Sequence, residues 1–286
     1  MKFLLYLMVT LVFYGTALAQ TNPQQKDSTT QQTERLKEVV VTGNALLGSK
    51  FEARNKTGSA TYISNEDLKK FSYTNINRVL QTVPGINIYE EDGFGLRPNI
   101  SLRGTSPQRS AKISIMEDGV LIAPAPYSSP SAYYFPSVAR MEAVEILKGS
   151  SQVQYGPFTT GGAINMVSAQ IPDEFGGRIL ANYGAFNTRQ IHAKAGGQKG
   201  QIGYVAEFLN FGSGGFKDLP DNSHTGFDIN EVLAKLRYSS KAEAKIQQFV
   251  EAKFQYSDEV SNETYLGLTE EDFNAAPFSR YASSQD

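Results

Sequence analysis

The segment IQQFVEAKFQY, residues 246–256, sets Ile246, Val250, Ala252, Phe254 and Tyr256 against Gln247, Glu251, Lys253 and Gln255. A period of two places the apolar set on one face of a β-strand and the polar set on the other. Four earlier segments read alike. In 178–185, Ile179, Ala181, Tyr183 and Ala185 oppose Arg178 and Asn182. In 190–197, Ile191, Ala193 and Ala195 oppose Gln190, His192 and Lys194. Ile202, Tyr204, Ala206 and Phe208 oppose Gln201 and Glu207, and Val232, Ala234, Leu236 and Tyr238 oppose Glu231, Lys235 and Arg237. Strands of about ten residues with this alternation suit a wall with lipid outside and a wet lumen inside. A soluble sandwich alternates too, so the connections decide. Residues 186–188, 198–200 and 239–244 are short, whereas 210–226 and the polar run from 257 are long. Short turns at one end and longer loops at the other are the habit of spanning barrels, and only 186–188 breaks the rule.

Composition narrows the rest. The 286 residues hold 27 Lys plus Arg and 29 Asp plus Glu, a net charge of −2. That balance argues against a basic nucleic-acid binder, and no nucleic-acid partner is expected. Cys is absent, which removes disulfides, thiolate metal sites and cysteine nucleophiles. The two histidines, His192 and His224, share no ligand spacing, so no metal site is expected. Residues 1–19, MKFLLYLMVTLVFYGTALA, combine Lys2, an apolar run and an Ala-Leu-Ala site, and read as a signal peptide. No later run of about 18 apolar residues follows that would span as a helix. Residues 20–37 are mostly polar and read as a disordered linker.

EVVVTG, 38–43, then switches to strong β-formers. Glu38, Val39, Val40, Val41 and Thr42 suit either addition to a partner's sheet edge or the first strand of the next domain. Residues 44–172 read as a compact α/β domain. Ser64 with Asp67 signals a helix near 65–71, and Thr74 caps a second, whose Ile76, Val79 and Leu80 share a face. Pro84-Gly85 ends it. Short strands are expected at Ile86–Tyr89, Asn99–Arg103, Lys112–Glu117, Val120–Ile122, Ala143–Lys148 and Ala163–Ser168, with Asp118-Gly119 a type I′ hairpin turn. No nucleophile, base and oxyanion arrangement is legible, so neither an enzyme nor a cofactor is expected. GFGLRP, 93–98, lacks the third glycine of a dinucleotide loop. Glu90, Glu91 and Asp92 read as a solvated turn, because hard-cation loops need spaced ligands.

VPGINI (83–88), ISLRG (100–104), IMEDGVLI (115–122), MEAVEILKGSSQVQYG (141–156) and TTGGAINMVS (159–168) stand in an order that resembles the plug domain of the TonB-dependent outer-membrane receptors. EVVVTG resembles their TonB box. The resemblance covers the mature chain. It implies an α/β plug domain followed by the first strands, about five, of a transmembrane antiparallel β-barrel (173–286). Such barrels have about 22 strands, so an N-terminal part of a receptor is expected. EEDGFGLRPNISLRG (90–104), LIAPAPYSSPSAYYFP (121–136) and NETYLGLTEEDF (262–273) resemble the ferric dicitrate receptor group within the family. The 18 residues 20–37 are too few for the signalling domain that the best-known member of that group carries, and Lys148 stands where the family often has Arg.

The resemblance implies a cell outer-membrane location, with TonB, outer-membrane lipid and a ferric chelate as partners. Ferric dicitrate leads as ligand. Another siderophore or metal chelate, or a non-transporting plug-bearing remnant, is the alternative. Mapped onto this chain, the ligand loops are 90–99 and 123–135. Arg97 is then a bidentate clamp for an anionic chelate or a surface charge that steadies the loop, with Tyr127, Tyr133 and Tyr134 as hydroxyl donors or as packing. The TonB-binding residues are Glu38, Val39, Val40, Val41 and Thr42. Arg103, Glu142 and Glu145 are expected to latch the plug to the barrel. Tyr204 and Tyr238 belong to the periplasmic aromatic girdle, and Phe186 and Tyr256 to the outer one.

Overall fold

The computed structural model describes residues 45–71, 74–125, 130–156, 160–219, 224–241, 243–262 and 267–281. The leader, the linker, the 38–43 segment, Tyr127 and the last five residues lie outside the described residues.

Two sheets carry the architecture. The first is mixed and runs in the order β1-β6-β7-β4-β5, from β1 (Ser59–Ile63), β4 (Ile113–Glu117), β5 (Val120–Ala123), β6 (Ala143–Lys148) and β7 (Gly162–Val167). β4 and β7 are its parallel pair. A separate hairpin joins β2 (Ile86–Tyr89) to β3 (Asn99–Leu102). β6 and β7 are buried throughout, mostly by apolar residues but with Glu145, Lys148 and Asn165 among them. The core gathers Ile113, Ile115, Val144, Ile146, Ile164 and Met166 under Ile76, Val79 and Leu80.

Helix α1 (Lys50–Asn55) precedes β1 and is capped by Ser49. Helix α2 (Asn65–Phe71) begins at the expected box: Asp67 N–H donates to Ser64 Oγ (3.3 Å) and Ser64 N–H donates to Asp67 Oδ2 (3.0 Å). Hydrogen bonds from Lys50 and Ser64 lower the Asp67 pKa to about 2. Helix α3 (Ile76–Leu80) is capped by Asn75 rather than Thr74, because the Asn75 side chain accepts Asn77 N–H (2.8 Å). Strand β1 carries no periodic signal in the sequence. Its only buried residue is Ile63, so SATYI lacks a clean alternation. Asp118 (φ 51) and Gly119 (φ 78) are both left-handed between Glu117 and Val120, as a type I′ turn requires.

The second sheet is an antiparallel meander, β8 (Gly176–Gly184), β9 (Thr188–Lys199), β10 (Ile202–Ser213), β11 (Phe227–Ser239) and β12 (Phe249–Ser261). β12 starts at Phe249, three residues later than the sequence pattern suggests, and Ile246 precedes it. A short helix α4 (Glu270–Ala275) follows beyond the loop end of β12. The alternation is realised. Along β10, Ile202, Tyr204 and Phe208 are exposed while Val205, Glu207 and Leu209 are buried.

Register aligns the exposed set into rows. Ala193, Phe208, Val232 and Tyr256 form one; Ala195, Ala206, Ala234 and Phe254 the next; then Gly197, Tyr204, Leu236 and Ala252; then Lys199, Ile202, Tyr238 and Val250. Beyond the first row stand Ile191, Asn210, Asn230 and Asp258, where polarity takes over. Four rows at two residues each span about 27 Å along the strands, or about 21 Å across a membrane at a tilt of ~40°, close to the ~25 Å apolar band of a spanning barrel. Tyr204 and Tyr238 lie in the two rows nearest the 200–201 turn. Tyr256 lies in the outermost apolar row, and Phe186 at the loop end, so the two girdles separate as expected.

The outer edges of β8 and β12 have no partner strand among the described residues. Each unpaired backbone group costs several kcal/mol in lipid, and open edges invite pairing with other chains. Residues 176–286 produced alone are therefore expected to aggregate, whereas 44–172 stays soluble. Soluble yield and amide-exchange protection of the two pieces check this. A protected, soluble monomer of 176–286 would overturn the membrane reading.

Candidate ligand face and plug–wall contact

The inward face of the wall meets the mixed sheet through buried charge. Lys235 of β11 and Lys253 of β12 stand directly opposite each other. Like charges so placed repel unless something intervenes. The β4–β5 turn intervenes. Lys253 Nζ lies 2.7 Å from both Glu117 Oε1 and Asp118 Oδ2, and Lys235 Nζ lies 3.1 Å from Asp118 Oδ2, an ion pair without hydrogen-bond alignment. Arg140, after the 130–137 stretch, grips Glu117 with a two-pronged fork (2.8 and 2.9 Å) and donates from Nε to Glu231 Oε2 of β11 (2.6 Å). Asp118 also accepts Ser168 N–H (2.9 Å) and Ser168 Oγ–H (2.5 Å). Gln255 Nε2 donates to Glu117 Oε2 and to Tyr134 Oη, each at 3.2 Å.

Burial raises the Glu117 carboxyl, but Arg140 and Lys253 outweigh it and hold the group below the usual range. Burial raises Asp118 too, and Lys235 and Lys253 likewise pull it down. Tyr134 is pushed up to about 12, first by burial and then by Glu231.

This contact is not the one the sequence suggested. Glu142 does reach the wall, where it pairs with Lys194 of β9 and accepts from Asn65. Glu145 does not. Its fully buried carboxylate turns into the mixed sheet and accepts N–H groups from Leu46, Leu47 and Gly48. Arg103 is exposed at φ 58, and no ion pair between it and the wall is found among the described residues. Arg140, Glu117, Asp118, Glu231, Lys235 and Lys253 take the expected place. Half of them were legible, since Glu231, Lys235 and Lys253 fall on the polar face of the alternation. Their partners sit in an irregular segment and a turn, where no periodicity marks them.

At the loop end, the 90–97 segment meets Phe216 and Phe227 of the wall side. Asp92, expected in a solvated turn, is buried. Its carboxylate accepts N–H groups of Phe94 (2.7 Å), Gly95, Leu96 (3.2 Å) and Arg97 (3.0 Å). Gly95 (φ 75) is required there, and a Cβ on Gly93 would strike the Phe216 ring at 2.4 Å. Phe94 packs on Phe216 and Phe227 at ring separations of 5.7 and 4.8 Å. The loop thereby presents Arg97, which is partly exposed and pairs with Glu259 of β12 at 2.8 Å. Glu91 pairs with Arg109 (3.3 Å) and Glu90 with Arg78 (3.7 Å). Tyr133 is exposed, whereas Tyr134 belongs to the plug–wall contact. Arg97 and Tyr134 thus stand in different places: one at the loop end, one in the packing.

Residues 52–163 match the family model of the TonB-dependent receptor plug domain. Residues 52–163 form a TonB-dependent receptor plug domain. The sheet of β8–β12 has the fold of the first barrel strands in such receptors, which are outer-membrane proteins. A vitamin B12 transporter, BtuB, of Photobacterium profundum is 26% identical over 204 residues, 69% of this chain and 32% of that protein. The unliganded ferric citrate transporter FecA superposes with a TM-score of 0.67 at 23% identity, covering 82% of this chain and 36% of its own. The ferric yersiniabactin uptake receptor FyuA of Yersinia pestis gives 0.58 at 22%, covering 72% and 32%. The chain spans about a third of the length of these relatives. All three are named as transporters or uptake receptors rather than enzymes.

Proposed function

We propose that this TonB-dependent receptor chain serves non-enzymatic, energy-coupled uptake of a metal chelate across the outer membrane, with ferric dicitrate as first candidate. The observation that supports it best is the rim loop 90–97, ordered by Asp92 and carrying Arg97, in a chain whose fold follows FecA over 82% of its length. A ferric citrate complex is anionic and rich in carboxylate oxygens, which a guanidinium clamps in bidentate fashion. Glu259 holds Arg97 until such a ligand competes for it. Tyr133 and, from outside the described residues, Tyr127 are proposed as further donors. The TonB partner would engage Glu38–Thr42, and Glu142 with the Arg140 network would seat the plug.

In a receptor that contains this chain, Arg97→Ala should weaken ferric dicitrate binding by about 1.5–3 kcal/mol, the range for a hydrogen bond to a charged group. A neutral siderophore should bind unchanged. Equal binding of ferric dicitrate by parent and variant would remove Arg97 from the site.

One observation favours a second ligand class. Arg97 and Arg109 already face Glu259 and Glu91, so the rim is not a bare cationic pocket, and a vitamin B12 transporter is among the relatives. Direct competition between labelled ferric dicitrate, cyanocobalamin and a siderophore separates these readings. A receptor that binds none of the three would favour the plug-bearing remnant.

A further inference from the structure

The carboxylate of Glu145 is fully buried in the middle of β6, yet its work is done at the far end of the sequence. Oε2 accepts Leu46 N–H at 2.7 Å, and Oε1 accepts Leu47 N–H at 3.0 Å and Gly48 N–H at 2.9 Å. Three successive amides converging on one anion form a nest, and Gly48 at φ 73 supplies the left-handed residue that bends them inward. Leu47 drops into an apolar pocket with Ala53, Met116, Leu147 and Ala163, which fixes the same three residues from below.

The other side of Glu145 leads to the wall. Oε2 also accepts from Asn165 Nδ2 (2.8 Å), and Asn165 Oδ1 accepts Gly119 N–H (2.8 Å). Gly119 shares its turn with Asp118, which pairs with Lys235 and Lys253 of the barrel wall. Hydrogen bonds therefore run from residues 46–48 through Glu145 and Asn165 to the Asp118-Gly119 turn, and from that turn to Lys253 of β12, with Lys235 of β11 joined by an ion pair.

We propose that Glu145 is a release clamp: it holds the backbone that directly follows the TonB box, and tension on the box opens this nest first and then reaches the charged turn that seats the plug on the wall. The inference rests on the receptor reading for the source of the tension, but the clamp itself does not. Glu145→Gln keeps the shape of the side chain and removes the charge that draws three amides together. Gly48→Ala leaves Glu145 untouched and strains the nest, because Ala at that φ is unfavourable and its Cβ would sit 2.8 Å from Glu52 Oε2.

The test uses the full-length receptor in outer-membrane vesicles. Amide exchange of residues 46–48 should become about tenfold faster in both variants, the loss of a hydrogen bond to a charged group, while the wall strands β10 and β11 keep their protection. Pulling the N-terminus by force spectroscopy should give a first rupture at lower force in both variants than in the parent. Unchanged exchange at 46–48, or an unchanged first rupture, would overturn the clamp. Should Glu145→Gln not fold, Gly48→Ala decides by the same two readouts. A parent that takes up no chelate but shows both changes in its variants supports the clamp and sinks only the receptor reading.

Discussion

Arg140→Ala should destabilise the seated plug by about 3–5 kcal/mol, the cost of removing one partner from a buried charge group. Arg140, Glu117 and Glu231 are each almost fully buried, and the guanidinium supplies two bonds to one carboxylate and one to the other. Without it, Glu231 keeps only Ser257, at 3.3 Å, among the bonds described, and Glu117 keeps Lys253 and Gln255. Thermal melting and protease resistance of the plug in the full-length receptor check this. The double change Arg140→Met with Glu231→Leu should recover only the share that the stranded Glu231 costs, because Glu117 stays buried without its fork.

The pH dependence has a definite sign. Glu117 and Asp118 titrate below their ordinary values in the folded protein. Their contribution is therefore complete above the unfolded carboxylate pKa, about 4, and falls away as pH drops through the lower folded values. In Arg140→Ala the burial effect on Glu117 is opposed by Lys253 alone among the two named cations, so acid should harm the variant less than the parent. Identical acid profiles would show that the network does not hold the plug.

The second large effect concerns coupling. Val40→Pro should abolish energised uptake and leave surface binding intact. The 38–43 segment is proposed to join a partner sheet through main-chain bonds, and Pro removes a donor. Val40 lies 57 residues before Arg97 in sequence (97 − 40), so the rim site keeps its contacts. Labelled chelate measured as bound and as internalised separates the two steps. Uptake that survives the substitution would return Val39–Thr42 to the role of an ordinary strand.

What the sequence revealed follows from how locally each feature is encoded. The wall was legible because every strand repeats the same two-residue period, and Phe254 or Glu231 declares its face by residue type. The box at Ser64 and Asp67 and the turn at Asp118-Gly119 were legible because cap and turn chemistry acts over three or four residues. Glu145 was misplaced because its partners lie about a hundred residues away, at 46–48, and a glutamate in a β-strand carries no mark of which backbone it binds. Asp92 was misjudged for a related reason. Three adjacent carboxylates look solvated, and only the fold of 94–97 around one of them buries it.

The two sheets also differ in how far apart in sequence their partners stand, and this sets an order of assembly. Each wall strand pairs with its immediate neighbour across a turn, so the meander zips by local steps. The mixed sheet closes only when Ile113 meets Gly162 across a long excursion. Local closures are fast and distant ones slow. The early wall therefore exists for a time with Glu231, Lys235 and Lys253 hydrated on its inner face and no plug against them. Those charges keep that face wet until Arg140, Glu117 and Asp118 arrive already arranged.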